Sequence, residues 1–444
     1  MNTPIIKQQL EIPKALREKI RLNSLVSISL SIFTAAYLVY VSVIFNLGGL
    51  FGGARIEKGV LLLSDMLAYK THVTLNLRRD ELTVAVEGER MATYKNTNLP
   101  SWIQGDAQAF KVSLKEGYFV RYEDRKIHYF LPNYGEIVIT PEKNQVYIEY
   151  PNLTKPEGMS ESLVKFDARP TFDHRVQVSR AKIEIHYYEY GWEDFWFPFN
   201  SQFNGMGIIE LLEISTSSER INPNRKNISV IFDDFWNHPT WQHGILAVAV
   251  LETILMAFLG TLTATLIGLP LAFAAANNIN SVGFIRFGIK RIFDFVRGID
   301  YLIWSLIFIR SFGLGPLTGA LAIAFTDTGT LGKLFSEALE NIDSRQKEGI
   351  QSTGSGSIQQ LRFGVIPQIL PVLTSQILYY FESNVRSATV IGALGAGGIG
   401  LVLVETMRTQ RDWENVLYII IVTLTIVILI DSLSSRLRRK LIQG

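Results

Sequence analysis

Charged side chains inside or beside long apolar runs are the residues of this chain best placed to do chemistry. They are Arg310, Asp327, Glu382 and Arg386, with Ser387 next to the last of them. Ionisable groups at membrane depth are costly, so they usually face a cavity or pair with one another. A guanidinium offers a planar pair of donors that matches an oxyanion, so this set is suited to lining an anion pathway.

The same residues also fit a purely structural role. In that interpretation Arg310 pairs with Asp327, and Glu382 pairs with Arg386, which follows four residues later on the same helix face. The sequence leaves both interpretations open.

No enzyme-like constellation accompanies these residues. The chain has no cysteine, and none of its six histidines has metal-ligand spacing, so no metal or cofactor site is predicted. The glycine-rich stretch 395–400 lacks the lysine and hydroxyl of a nucleotide-binding loop, so ATP hydrolysis would need a separate subunit. The net charge of +2, without a basic tract, argues against nucleic acid as a partner.

Six apolar runs are long enough to position these residues as transmembrane helices, since a ~30 Å hydrocarbon layer takes about 20 helical residues. The runs cover residues 25–47, 244–276, 292–311, 315–336, 365–386 and 413–432. A cleaved signal peptide is the alternative for the first run. Because a signal has only about 7–15 apolar residues, we expect an uncleaved anchor there.

Lysine and arginine gather on the predicted cytoplasmic side. Five of them precede the first run, and others cluster at 286–297, 345–362 and 436–440. Both termini are therefore expected in the cytoplasm, in a multi-pass protein of the inner (plasma) membrane. The loop with Arg408 and Arg411 is an exception, where Asp412 and Glu414 balance the charge.

The residues between the first two runs alternate between apolar and polar, which is typical of half-buried strands. The alternation is seen at 73–77, 82–86, 112–114, 176–178 and 183–185, and a hairpin is predicted over 137–150. A β-sandwich or small barrel is expected. The aromatic cluster at 187–199 is either a partner or sugar-binding surface or, alternatively, core together with residues at the bilayer interface.

These patterns predict an α-helical membrane protein with about six transmembrane helices and an inserted extracytoplasmic all-β domain. Its parts are a cytoplasmic N-terminus and first span at 1–50, the β-rich domain at 51–235 and a helical core of about five spans at 236–444. Within that core, the polar segment 339–364 forms a cytoplasmic loop.

The loop has a recognisable spacing. It follows a pattern in which Glu-Ala-Ala is followed by Gly and then by Ile-x-Leu-Pro. The residues at matching offsets are Glu348, Gly354, Ile366 and Pro367, whereas Gly349 and two other positions depart from the pattern. In this respect the chain resembles the permeases of binding-protein-dependent ABC importers. The flanks, which include 331–338, 364–371 and 386–389, resemble the phosphonate branch of that family.

The resemblance, which covers roughly residues 230–440 and the first span, implies a function. A homodimeric permease would translocate a phosphonate, phosphate-like or related oxyanion, delivered by an extracytoplasmic binding protein and driven by two cytoplasmic ATP-binding subunits. The ATPase-coupling loop would include Glu348, Gly349, Gly354, Phe363 and Pro367. The glycines of the segment 395–400 would allow helices or loops to pack closely. They are Gly395, Gly397, Gly398 and Gly400. In the family, the equivalent segment lies on the outer side near the pathway.

The physical reading of the loop agrees with this role. Residues 348–362 are expected to form a short helix on the membrane surface that docks in an ATPase groove. Gly354 would allow a left-handed turn or a close backbone approach. The rival from another class is a membrane receptor that senses a ligand through its β-domain, whereas a membrane-embedded enzyme is disfavoured because no nucleophile, base and orienting group occur together.

Overall fold

A computed structural model of the chain describes residues 14–443 except 54–55, 96–97, 153 and 410–411. It divides into two compact units, one up to Leu61 and one from Leu62 onward. The first unit contains α1 (Lys14–Ile44) and α2 (Leu47–Gly52), and α3 (Ile56–Asp65) follows. Residues 22–44 of α1 carry no charge, and this length is sufficient for a membrane span.

Among the described residues of the second unit, twelve strands form two antiparallel sheets. The first sheet has the order β2-β1-β12-β11-β10-β9. Its strands are β1 (Ala68–Asn76), β2 (Glu81–Val86), β9 (Met159–Ser162), β10 (Lys165–Ala168), β11 (His174–Ser179) and β12 (Lys182–Tyr190). The second is a meander of β3 (Ile103–Gly105), β4 (Phe110–Ser113), β5 (Phe119–Glu123), β6 (Lys126–Leu131), β7 (Gly135–Pro141) and β8 (Val146–Glu149).

The alternation in the sequence determines which strand face enters the core. Val73 and Ile185 of the first sheet and Ile137 of the second are almost fully buried and belong to one shared apolar cluster. The two sheets therefore form a β-sandwich, the first of the two architectures expected. The predicted hairpin is the β7–β8 pair.

One buried histidine joins the two sheets. His174 of β11 has one ring nitrogen 2.7 Å from the Tyr129 hydroxyl of β6 and the other 3.1 Å from the Thr171 hydroxyl. Burial, together with the charge of Arg169, lowers the pKa of His174 to about 4. The imidazole is therefore neutral in the folded protein at physiological pH.

The aromatic cluster after β12 packs where the sandwich region meets the helices. Trp192 and Phe195 contact Trp241, and Phe195 lies edge-on to Tyr418 with 5.2 Å between ring centroids. A hydrogen bond of 2.9 Å joins the Tyr418 hydroxyl to Nδ1 of His243. Most of this cluster is thus packing, as one of the two interpretations predicted.

The helices that follow the sandwich form the rest of the chain. They are α4 (Ile208–Thr216), α5 (Asn227–Trp236), α6 (His243–Ala275), α7 (Gly283–Gly298), α8 (Tyr301–Phe312), α9 (Pro316–Glu340), α10 (Ser344–Gln351), α11 (Ser357–Gln360), α12 (Ile366–Ile391), α13 (Gly398–Thr409) and α14 (Trp413–Gln443).

Within the described residues, four helical segments are long and apolar enough to cross a membrane. They are Leu22–Ile44, His243–Ala275, Ser357–Ala396 and Trp413–Leu441. The six-span count is therefore not reached by length and hydropathy alone. Helix α9 has 25 residues but carries several charges, and α8 has 12.

The predicted span at 292–311 is not one continuous helix. Helix α7 ends at Gly298, Ile299 is extended, and the Asp300 carboxylate accepts a hydrogen bond from the Leu302 amide at 2.8 Å. An N-cap of this kind starts a new helix, because it satisfies an amide that has no partner within the helix. A prediction based only on the number of apolar residues misses such a cap.

Glycines allow the two central helices to pack closely. A Cβ atom at Gly260 of α6 would lie 2.6 Å from the Ile323 side chain of α9, and one at Gly268 would lie 3.3 Å from the Gly332 amide. Small residues at helix contacts are the usual means by which membrane helices associate. This packing places the polar residues of α6, α9 and α12 near one another.

Candidate functional site

The loop between α9 and α12 contains two short helices and not the single helix expected over 348–362. Helix α10 begins where the Asp343 carboxylate accepts a hydrogen bond from the Arg345 amide at 3.0 Å. Gly354 has φ of 80°, which interrupts the helix before α11. Only glycine adopts this conformation at little cost, so the left-handed turn accounts for a glycine at position 354. A Cβ atom at Gly354 would meet no other atom within 4 Å, so close approach within this chain does not require it.

The predicted coupling residues point away from the rest of the chain. Glu348 is exposed, a Cβ atom at Gly349 would meet nothing within 4 Å, and the Phe363 side chain is 60% exposed. Ile358 is 81% exposed and was not singled out in the sequence. Pro367 lies in the first turn of α12, where its missing N–H costs no hydrogen bond.

Gln368 attaches this loop to the helical core. Its side chain accepts a hydrogen bond from the Asp343 amide at 3.0 Å and donates to the Gly364 carbonyl at 2.5 Å. Val365 is fully buried beside Leu339 of α9. The loop is thus fixed at both ends to α9 and α12.

A polar triad lies in the interior of the helical core. Asn384 of α12 donates hydrogen bonds to the Asp327 carboxylate of α9 at 2.6 Å and to the Thr261 hydroxyl of α6 at 2.8 Å. Asp327 is only 7% exposed. Asn384 and Thr261 were not predicted from the sequence, although a polar residue within an apolar run is the signal that could have identified them.

The structural pair between Arg310 and Asp327 does not form. Arg310 is exposed at the C-terminal end of α8 and makes no ion pair within the described part of the chain. Asp327 faces Asn384 instead, because the middle of α9 points toward α6 and α12. The two residues therefore need separate explanations.

Glu382 lies between two arginines. Its Oε1 atom is 3.3 Å from Arg386 and its Oε2 atom is 3.1 Å from Arg438 of α14. The predicted pair with Arg386 is present, and Arg438 is an additional partner that the sequence analysis had assigned only to the cytoplasmic basic cluster. Glu382 is buried, whereas the Arg386 side chain is 51% exposed. Ser387 is half-buried beside it.

The four predicted close-packing glycines form the turn between α12 and α13. Gly395, Gly397 and Gly398 have φ of 111°, 88° and 69°, and a Cβ atom at Gly400 would collide with the backbone of α12. This turn is fixed to α6, because the Glu252 carboxylate accepts a hydrogen bond from the Gly398 amide at 2.9 Å. The negative charge of Glu252 thus faces the positive end of the α13 dipole.

Comparison with known proteins identifies this arrangement. The family model described as binding-protein-dependent transport system inner membrane component matches residues 268–443. The phosphite transport system permease protein PtxC of Stutzerimonas stutzeri is 33% identical over 207 residues, which are 46% of this chain and 73% of PtxC.

Two further relatives carry related descriptions. The phosphate-import permease protein PhnE of Mycolicibacterium smegmatis is 36% identical over 45% of this chain, which spans only 37% of PhnE. PhnE2 of Escherichia coli K12, described as a candidate cryptic phosphonate transport system permease, is 46% identical over 28% of this chain and 99% of PhnE2. Among solved structures, the inward-facing MetNI methionine ABC transporter is similar with a TM-score of 0.41 and 19% identity, over 44% of this chain and 96% of that chain.

The helical core and its matches define a multi-pass permease of the inner membrane. The chain belongs to the binding-protein-dependent transport system inner membrane component family, and within it to the ABC importer permeases of the phosphonate branch.

Proposed function

We propose that this chain is the membrane-spanning subunit of an ATP-driven importer for a small phosphorus oxyanion of the phosphonate, phosphite or phosphate class. The descriptions of its relatives support this substrate class. An extracytoplasmic binding protein delivers the substrate to a homodimer of this chain. Two cytoplasmic subunits bind and hydrolyse ATP, so the permease itself is not an enzyme. Family membership favours this function over the receptor alternative.

The observation that carries the substrate assignment is the charge cluster around Glu382. Two guanidinium groups face one buried carboxylate, so the cluster keeps an excess positive charge. Arg438 forms an ion pair with the second carboxylate oxygen of Glu382. Arg386 is half-exposed, so part of its guanidinium group can face solvent and remains available to a substrate. A guanidinium with donors to spare suits an oxyanion in transit. Arg386 and Ser387 are therefore proposed to line the pathway, with Asp327 as a structural neighbour and Arg310 farther from it.

Energy coupling is proposed to pass through the loop at 339–364. Its exposed apolar side chains, Ile358 and Phe363, provide a surface for an ATPase groove. Glu348 and the turn at Gly354 shape that surface, and Pro367 starts the helix that receives the motion. The attachment of Gln368 to Asp343 supports transmission of the movement to α12, which carries Arg386.

The proposed topology has both termini in the cytoplasm, residues 51–235 as the extracytoplasmic β-domain and 236–444 as the permease core. An even number of crossings is required to return the chain to the cytoplasm. Helix α9 is about 37 Å long at 1.5 Å per residue, which is enough to cross. Helix α8, at about 18 Å, is too short alone. We place the sixth crossing in α8 together with the end of α7, where Phe293 and Trp304 pack against α9.

Growth on defined phosphorus sources tests this function. A bacterial host without its own phosphonate and phosphite uptake would express this chain with a cognate ATPase and binding protein. Growth on methylphosphonate, phosphite or limiting phosphate is expected with the full set and not when this chain is omitted. Equal growth with and without this chain on all three sources would contradict the proposal.

A further inference from the structure

The two short helices between the β-sandwich and α6 carry apolar side chains that are not covered within the described part of the chain. On α4, Ile208 and Leu212 are each more than half exposed. On α5, Ile228 and Phe232 are more than half exposed, and Trp236 is partly exposed. Residues four apart in a helix lie on one face. Each helix therefore has an apolar face that is turned away from the rest of the described chain.

Hydrogen bonds hold the two helices together as one hairpin. Asn227, the first residue of α5, is buried, and its amide group donates to the carbonyl oxygens of Ile214 and Glu219, both at 2.8 Å. On the side of α5 opposite its apolar face, Asp234 accepts a hydrogen bond from the Ser201 hydroxyl at 2.6 Å. The polar side of α5 is thus attached to the protein, and the apolar side is left free.

The hairpin is also fixed to the end of a membrane span. The Phe235 ring stacks on the His243 ring with 4.2 Å between centroids. A Cβ atom at Gly244 would lie 2.6 Å from Nε1 of Trp236, so the indole lies against the first turn of α6. Because α6 is long and apolar enough to cross a membrane, this contact places α5 where the span leaves the hydrocarbon layer.

The apolar face of α5 continues onto the exposed side of α6. Trp236 lines one cleft with Ile245 and Val248 of α6. Both of these residues are exposed, and they begin a strip of exposed apolar side chains that runs along α6 through Leu255 and Leu266. An exposed apolar strip along the whole length of a membrane span is a surface for lipid chains. The face of α5 extends that surface, and this continuity indicates what covers it.

We propose that the α4–α5 hairpin lies in the surface of the phospholipid bilayer beside α6. With 9 and 10 residues, the helices are too short to cross. Amphipathic helices of this kind lie in the membrane plane with the apolar face about 5–10 Å deep, at the boundary between headgroups and acyl chains. Tryptophan is enriched at this depth. In the turn of the hairpin, Arg220 and Lys226 are exposed and make no ion pair within the described residues, so they are available to lipid phosphates.

The hairpin connects β12 to α6, so its position in the bilayer would hold the β-sandwich close to the membrane. In the proposed topology it occupies the outer surface. The depth of the hairpin can be measured whichever face that is, and it does not depend on which substrate the permease carries.

Spin labels measure the depth of each helix, because the chain has no cysteine of its own. The full chain carrying Ile208→Cys or Phe232→Cys would be labelled and reconstituted into vesicles of phosphatidylcholine and phosphatidylglycerol. Collisions with molecular oxygen, which concentrates among acyl chains, would be compared with collisions with a water-soluble nickel chelate. Leu163→Cys is the matched control, because Leu163 lies in the turn between β9 and β10 and is 76% exposed, against 78% for Ile208.

The ratio of oxygen collisions to chelate collisions should be severalfold higher for both hairpin labels than for the Leu163 label. Leu212→Cys and Ile228→Cys repeat the measurement if either first variant does not fold. Adding Phe232→Glu to Ile228→Cys should lower the ratio severalfold, because a charge is unfavourable in the apolar part of the bilayer.

Two results would overturn the proposal. Hairpin labels with the ratio of the Leu163 label would place the apolar face in water. Labels shielded from both reagents, with spin–spin broadening that disappears when unlabelled chain is mixed in, would show that a second copy of this chain covers the face instead of lipid.

Discussion

Replacing the two arginines around Glu382 separates a pathway role from a structural role. Arg386→Gln removes a partner that is 51% exposed and leaves Glu382 paired with Arg438 at 3.1 Å. We expect a loss of about 1 kcal/mol in the free energy of unfolding, typical of a partly exposed ion pair. The Arg386→Gln/Arg438→Gln double variant leaves the buried carboxylate unpaired and should lose about 3–5 kcal/mol.

The stability effects should therefore be more than additive, because either arginine alone can satisfy Glu382. Adding Glu382→Gln to the double variant should recover most of the lost stability. Arg310→Gln is a matched control, since Arg310 is exposed and makes no ion pair within the described residues, and its stability should change by no more than about 0.5 kcal/mol. Thermal unfolding of the detergent-solubilised protein measures all of these effects.

The effects of these variants on transport should follow a different order from their effects on stability. If Arg386 donates to the substrate, its loss removes a charge-assisted hydrogen bond of about 1.5–3 kcal/mol, which corresponds to an uptake rate about 10–150-fold lower. Glu382→Gln/Arg386→Gln should remain stable yet slow, because the donor is still absent. Normal uptake by this double variant would refute the pathway role and leave ion pairing as the only function of Arg386.

The other predictions concern the loop, the topology and the sandwich. Gly354→Val forces a β-branched residue into φ of 80°, at a cost of at least about 1–2 kcal/mol in the loop, so substrate-stimulated ATP hydrolysis should fall. Gly349→Ala, where a Cβ atom meets nothing, should leave hydrolysis unchanged, and equal activity of the two variants would exclude the turn from coupling. In this cysteine-free chain, a membrane-impermeant thiol reagent should label Asn144→Cys from outside and Thr353→Cys only from the cytoplasmic side, whereas labelling of both from one side would reject the topology. Because the pKa of His174 is about 4 when folded and about 6.5 when unfolded, the unfolded state alone gains a proton between these values. Stability should then fall as the pH drops from about 6.5 to 4, by about 1.4 kcal/mol per unit, and an equally steep fall in His174→Gln would contradict this.

The sequence predicted the elements that depend on local pattern. The runs at 244–276 and 413–432 correspond closely to α6 and to the first two thirds of α14, because a span is defined by its own apolar residues. The strand alternation likewise predicted which faces of β1 and β12 are buried. It could not predict that β1 pairs with β12, since strand partners distant in sequence leave no local signal.

The parts that were missed depend on contacts between distant segments. The charge of Arg438 indicated a cytoplasmic flank, yet its long side chain reaches Glu382 on another helix. Asn384 is a polar residue in an apolar run, but only the packing of α12 against α6 and α9 identifies its partners. Likewise, only the fold of the loop brings the Asp343 amide to the Gln368 side chain. The Asp300 cap is the exception, because an Asp before an apolar run is a local signal for a helix start.

ATP-dependent uptake into proteoliposomes tests the central claim most directly. This chain, reconstituted with its ATPase subunits and supplied with its binding protein, should accumulate radiolabelled phosphite, phosphate or a phosphonate only when ATP is present. D-methionine, the substrate class in the description of more distant relatives, serves as the control solute and should not accumulate. Accumulation of D-methionine without any phosphorus oxyanion would contradict the assignment to the phosphonate branch, and accumulation that does not require ATP would contradict the assignment to an ABC importer.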